Sequence, residues 1–204
     1  MNQIDTTQQT SVWMKPKWLG VAALLALILH VLVEKIPQGI TLELFWICHL
    51  ATFLLVLGLF VGSPVLTAVG FLSHVAYGAP AFLLDVIFVK PNSWTSWITH
   101  IVSPVASGIA VYHWGIPKKA PLQSWFFLIG SLLASYLFTP PAMNINMAHA
   151  VWKPFARFFP NIYSYLVFNS LVGVLFITAV ILILKKVFKW KTLPASTQKH
   201  STES

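Results

Sequence analysis

Long apolar runs, separated by short stretches rich in Pro, Gly, Ser and Lys, recur along the chain from Leu19 to Leu184. Crossing about 30 Å of hydrocarbon takes roughly twenty apolar residues in a helix. By that measure six runs qualify as spans, at about 18–34, 42–62, 64–89, 94–114, 122–139 and 162–184. The third is long enough to tilt, and Gly78 and Pro80 within it allow a kink. The first reads as a retained span: it ends in Glu34-Lys35-Ile36-Pro37, with no small-residue cleavage site after it. Residues 140–160 are too polar to span and too aromatic to be a free loop, which predicts an interfacial or re-entrant segment before the last helix. The pattern as a whole predicts an all-α fold, a polytopic membrane helix bundle of about six transmembrane helices at 18–187. Polar tails at 1–17 and 188–204 flank it.

Composition strengthens this reading. Of 204 residues 57% are hydrophobic and 9% charged, against about 45–50% and about 25% in soluble domains, so a water-covered globule is excluded. The net charge of +8 is distributed unevenly. Lys15, Lys17, Lys118, Lys119, Lys185, Lys186, Lys189, Lys191 and Lys199 fall on the side of the termini, and Lys35, Lys90, Lys153 and Arg157 on the other. Because Lys and Arg accumulate in cytoplasmic loops, both termini are expected to be cytoplasmic, in a bacterial cytoplasmic (inner) membrane. The basic residues lack the interleaved aromatic pattern of a nucleic-acid binder, so the bilayer, not nucleic acid, is the expected partner. A single cysteine, Cys48, excludes an intramolecular disulfide and any Cys-based metal motif.

The polar exceptions inside the spans carry the candidate chemistry. Given this orientation, His30, His49, His100, His149 and Asp85 come from five segments and fall in one leaflet, with His74 deeper; His113 and His200 lie at the other end and in the tail. His74 and Asp85 are eleven residues apart, which returns to nearly the same helix face about 16 Å further along. Asp85 is the acidic residue retained inside a span, and its natural partner is a histidine, since a His–carboxylate pair suits proton transfer and metal ligation equally. Each histidine alone is better explained as an interhelical hydrogen-bonding group than as a catalyst; convergence of the set is what points to a site. Asn144 and Asn146 either bind a substrate carbonyl or headgroup or cap a short interfacial helix. Of nine Trp, eight fall near span ends, leaving Trp46 as the one placed to line a site near His49.

Three functions compete. In a membrane-embedded enzyme acting on a lipid or other apolar substrate, His100 or His149 is the general base, Asp85 orients it, His49 assists, and Asn144, Asn146, Trp46 and His74 contact the substrate. Thr99, Ser73 and Ser103 are the hydroxyls nearest the histidines in sequence, and none sits in a nucleophile elbow. In a metal or haem protein, ligands come from His30, His49, His74, His100 and His149. In a small proton-coupled transporter, the histidines and Asp85 form a relay, although no internal repeat is apparent. In general plan, six spans with intramembrane histidine, the chain resembles the androgen-induced family of threonine/histidine lipid hydrolases. That resemblance implies lipid hydrolysis and carries no residue roles, because no motif is shared.

Overall fold

A computed structural model describes residues 16–89, 93–187, 189–190 and 192–193. The tails, with Lys15, Lys191, Lys199 and His200, and the loop residue Lys90 lie outside the described residues. The chain forms a helical bundle. Helix α1 (Pro16–His30) continues into a π-helical turn at Val31–Lys35, and a 3-10 turn at Thr41–Phe45 leads into α2 (Ile47–Val61). Next come α3 (Pro64–Ser73), a second π turn at His74–Gly78 and α4 (Ala79–Phe88), then α5 (Trp94–Trp114), α6 (Ala120–Phe138) and α7 (Ile162–Val187). Four stretches, Lys17–Lys35, Pro64–Phe88, Ala120–Phe138 and Ile162–Val187, are long and apolar enough to cross a membrane.

Local chemistry sets these boundaries. Gly62, at φ 68°, ends α2 in the left-handed region, where glycine carries no Cβ penalty. Ser63 then caps α3 by accepting a hydrogen bond from Leu66 N–H, and Pro64 occupies the first turn, where no N–H is needed. The tight hairpin brings α2 against α3 along two glycines. A Cβ on Gly58 would stand 2.5 Å from Thr67 N, and one on Gly70 would stand 2.7 Å from Leu55 N. Pro80 follows directly on the π turn, whose wider ring relieves the clash a proline makes with the preceding turn.

Two expectations are corrected. The run at 42–62 is not one helix: the chain bends at Trp46 (ψ 137°) and leaves a 15-residue α2. The break is compensated by Asn146, whose Oδ1 accepts from Ile47 N–H at 2.8 Å and whose Nδ2 donates to the Phe45 carbonyl at 2.7 Å. The segment at 140–160 does not form the short helix that Asn144 and Asn146 would cap in one reading. It is a chain of 3-10 turns at Pro141–Met143, Ile145–Met147 and Lys153–Phe155, with Asn144, Asn146 and Met147 at positive φ.

Helix α1 packs on α2 and α5, α3 packs on α2, α5 and α6, and α7 packs on α6 and the second π turn. The end of the bundle nearest the termini is closed by an apolar cluster that includes Phe71, Leu72, Val111, Ile116 and Leu184. A two-residue parallel pairing, Ile116–Pro117 with Thr192–Leu193, lies at that same end.

Candidate functional site

At the opposite end, where α1 and α4 finish and α2 and α5 begin, a cavity of about 150 Å³ opens among five segments. Its wall includes His30, His49, His100, Asp85 and Trp46 from the sequence-derived set, together with Glu34, Lys35, Glu43, Ser96, Met147 and Trp152. A larger groove of about 730 Å³ between α2, α3 and α6 carries no ionisable side chain in its lining and is almost wholly aliphatic and aromatic. Of the two, the smaller cavity is the one lined by ionisable side chains.

The imidazoles form two packed pairs. His30 and His49 stack at 5.2 Å between centroids, and His74 lies 5.3 Å from His100, which itself stacks on Phe82 at 3.9 Å. Their hydrogen bonds fix the tautomers. His49 Nδ1 donates to the Glu43 carbonyl at 2.9 Å and His100 Nδ1 to the Ser96 carbonyl at 2.8 Å, because a carbonyl only accepts. Thr52 gives its own proton to the Cys48 carbonyl, so its oxygen, 3.3 Å from His74 Nδ1, receives the His74 proton. All three Nε2 atoms are therefore bare acceptors, and none has a hydrogen-bond partner among the described residues. His74 stands behind His100 and does not line the cavity.

A charged network borders the imidazoles. Glu34 lies 3.4 Å from His30 Nδ1, one helical turn on, and accepts from Thr95 at 2.9 Å and from Ser93. Lys35, only 5% exposed, is held between Glu34 at 3.2 Å and Glu43 at 2.6 Å. A buried ammonium is tolerable only when so compensated. The π turn at Val31–Lys35 places Glu34 and Lys35 on this wall, and the one at His74–Gly78 sets the level of His74 and Gly78. Single-turn π segments of this kind recur at functional sites.

Other sequence-derived candidates lie elsewhere. His149 stacks on Tyr136 at 5.1 Å and its Nε2 donates to the Thr139 carbonyl at 3.1 Å, away from the cavity wall. Asn144 accepts from the backbone N–H groups of His149 and Ala150 and donates to the Ala150 carbonyl, closing its own loop. Asn146, besides bracing the Trp46 bend, donates to Ser135 Oγ at 2.8 Å. Both amides thus spend their hydrogen bonds on the fold. Glu34, Lys35 and Glu43 escaped the sequence reading because they sit at span ends. The legible signal was the four-residue spacing of His30 and Glu34, which puts them on one helix face.

Among the described residues, no group of three or more His, Cys, Asp or Glu is placed to hold a metal ion. The cavity volume is also below the roughly 300–1,000 Å³ usual for cofactor pockets. A cavity of this volume does not hold a haem, and no step below is routed through a metal. Thr99 gives its proton to backbone carbonyls, and the Thr52 and Thr95 oxygens meet Nδ1 rather than Nε2, so none of these three hydroxyls is activated as a nucleophile.

The Asn146 brace has a measurable consequence. Asn146→Ala leaves the Ile47 N–H and Phe45 carbonyl unmet and places alanine at φ 53°. The expected loss is about 2–3 kcal/mol, read as lowered thermal stability of the purified protein in detergent. Asn146→Gly tolerates the positive φ and isolates the hydrogen-bond share; unchanged stability in both variants would contradict the bracing role.

Comparison of the chain with protein-family models, with curated proteins and with solved structures finds no match in any of them.

Proposed function

We propose that the chain is a six-span membrane protein with both termini cytoplasmic. In this reading the histidine-lined cavity opens toward the outer leaflet and carries out acid–base catalysis on a lipid or similarly apolar substrate. Membrane residence is supported by four helices of spanning length and by large apolar side chains on the outside of the bundle, such as Leu25, Leu175 and Phe138. The orientation follows from the excess of Lys and Arg on the side of the termini.

The observation that carries the chemistry is the pair of locked imidazoles. With Nδ1–H of His49 and His100 held by carbonyls, each of these two cavity-lining residues keeps a bare Nε2. Nε2 takes a proton from a bound water or substrate group, and the imidazolium so formed returns it to the departing group. The same Nδ1 lock suits a metal ligand, but the spacing of the ligand-forming side chains does not favour that alternative. Transport needs a route to both faces, whereas the terminal end of the bundle is packed with apolar side chains.

The test is a comparison of lipid extracts from membranes containing the wild-type chain, His49→Gln or His100→Gln at equal insertion. A species that accumulates with the wild type and is lost in both variants is the expected result. A lipid change that both variants retain in full would overturn the reading.

A further inference from the structure

We infer that the cavity binds a primary ammonium group, carried by an amine-bearing lipid headgroup or by a free small amine. This rests on the cavity being the working site proposed above, and it names what that site takes. The buried side-chain atoms that lack a partner on the cavity-lining residues are acceptors. His49 is 3% exposed, yet its Nε2 has no partner among the described residues, and His100 Nε2 is in the same condition. An acceptor is satisfied by a donor, so a ligand completing these hydrogen bonds must bring N–H or O–H groups.

Charge selects between the two. Among the described residues, the wall carries the carboxylates of Glu34 and Glu43 around the one ammonium of Lys35, and Asp85 also lies in the lining. Lys35 is itself a primary ammonium, buried and hydrogen-bonded between Glu34 and Glu43, so this wall already stabilises the chemical group proposed as ligand. Trp46 and Trp152 complete the lining with indole rings, whose faces attract cations. The volume of about 150 Å³ equals about five water molecules at roughly 30 Å³ each. It accommodates a group of ethanolamine size.

The test uses the full-length chain in phosphatidylcholine nanodiscs, titrated with ethanolammonium, choline or glycerol and read by tryptophan fluorescence and thermal shift. Ethanolammonium should bind at least about tenfold more tightly than choline, which has charge without N–H, and than glycerol, which donates without charge. Glu43→Gln should weaken ethanolammonium about tenfold. The preference series is measured on the wild type, so it decides the matter even if that variant fails to fold. Equal binding of the three probes, or none, overturns the inference. Phosphatidylethanolamine discs that compete away ethanolammonium identify the lipid headgroup as source; discs that leave its binding unchanged identify a free amine. Amine-selective binding without His-dependent lipid turnover would sink the catalytic reading alone. Turnover of a lipid without amine selectivity would sink this inference alone.

Discussion

Replacing His49 and His100 together by glutamine is expected to lower turnover by about a hundredfold to ten-thousandfold, the range general acid–base groups contribute. Glutamine retains bulk and can still donate to the Glu43 and Ser96 carbonyls that hold the native rings. What it lacks is a ring nitrogen that takes up and releases a proton. Because both imidazoles belong to one cavity, the single variants should each approach the loss of the double variant rather than sum to it. His74→Gln offers the contrast. His74 touches His100 but does not line the cavity, so its replacement should cost less than about tenfold by loosening the ring it supports. Rates measured on inserted protein with unchanged tryptophan fluorescence decide the matter. Full activity in the double variant would remove both histidines from the chemistry.

The second large effect concerns the contact between α2 and α3. Alanine at Gly58 would place Cβ 2.5 Å from Thr67 N, and alanine at Gly70 would place it 2.7 Å from Leu55 N and 2.8 Å from the Ala51 carbonyl. The obstacles are backbone atoms, so relief requires the helices to separate. Helix contacts inside membranes depend on small residues for such close approach, and overpacking of this kind costs about 1–3 kcal/mol or more. Each variant should lower the melting temperature in detergent, and each should also disturb the site, because α2 carries His49 and the helix after Gly70 carries His74. Gly130→Ala is the matched control: a Cβ there meets nothing within 4 Å, and alanine is favoured over glycine inside a helix by up to about 1 kcal/mol. If Gly58→Ala and Gly70→Ala were as stable as Gly130→Ala, the packing of α2 on α3 described above would be incorrect.

Apolar run length was enough to locate the helices, because a long apolar stretch has few alternatives to a buried or membrane-facing helix. The run at 94–114 coincides with α5, and those at 64–89 and 162–184 differ from the observed helices by a few residues at most. The bend at Trp46 was not legible, since its cause is an amide a hundred residues away in sequence, and local patterns do not report such a contact. The site was legible in part. His30, His49, His100, Asp85 and Trp46 were identified because polar groups inside apolar runs stand out, and all five border the cavity. His149, Asn144 and Asn146 stood out for the same reason, yet their hydrogen bonds go to the backbone. Pattern alone does not distinguish a polar group that supports a bend from one that faces a ligand. Glu34 and Lys35 were hidden by the opposite error. Charges at the end of a run look like its solvated edge, whereas the helix continues through Lys35 and turns both side chains to the cavity.

The most direct test of the histidine site is ¹⁵N nuclear magnetic resonance of the full-length protein in bilayers, with histidine ring nitrogens labelled and His49 and His100 assigned by substitution. Both rings should appear as neutral Nδ1–H tautomers with unprotonated Nε2, and the Nε2 signals should move when ethanolammonium is added. Nε2–H tautomers at these two residues, unresponsive to ligand, would contradict the assignment of basic nitrogens to the cavity.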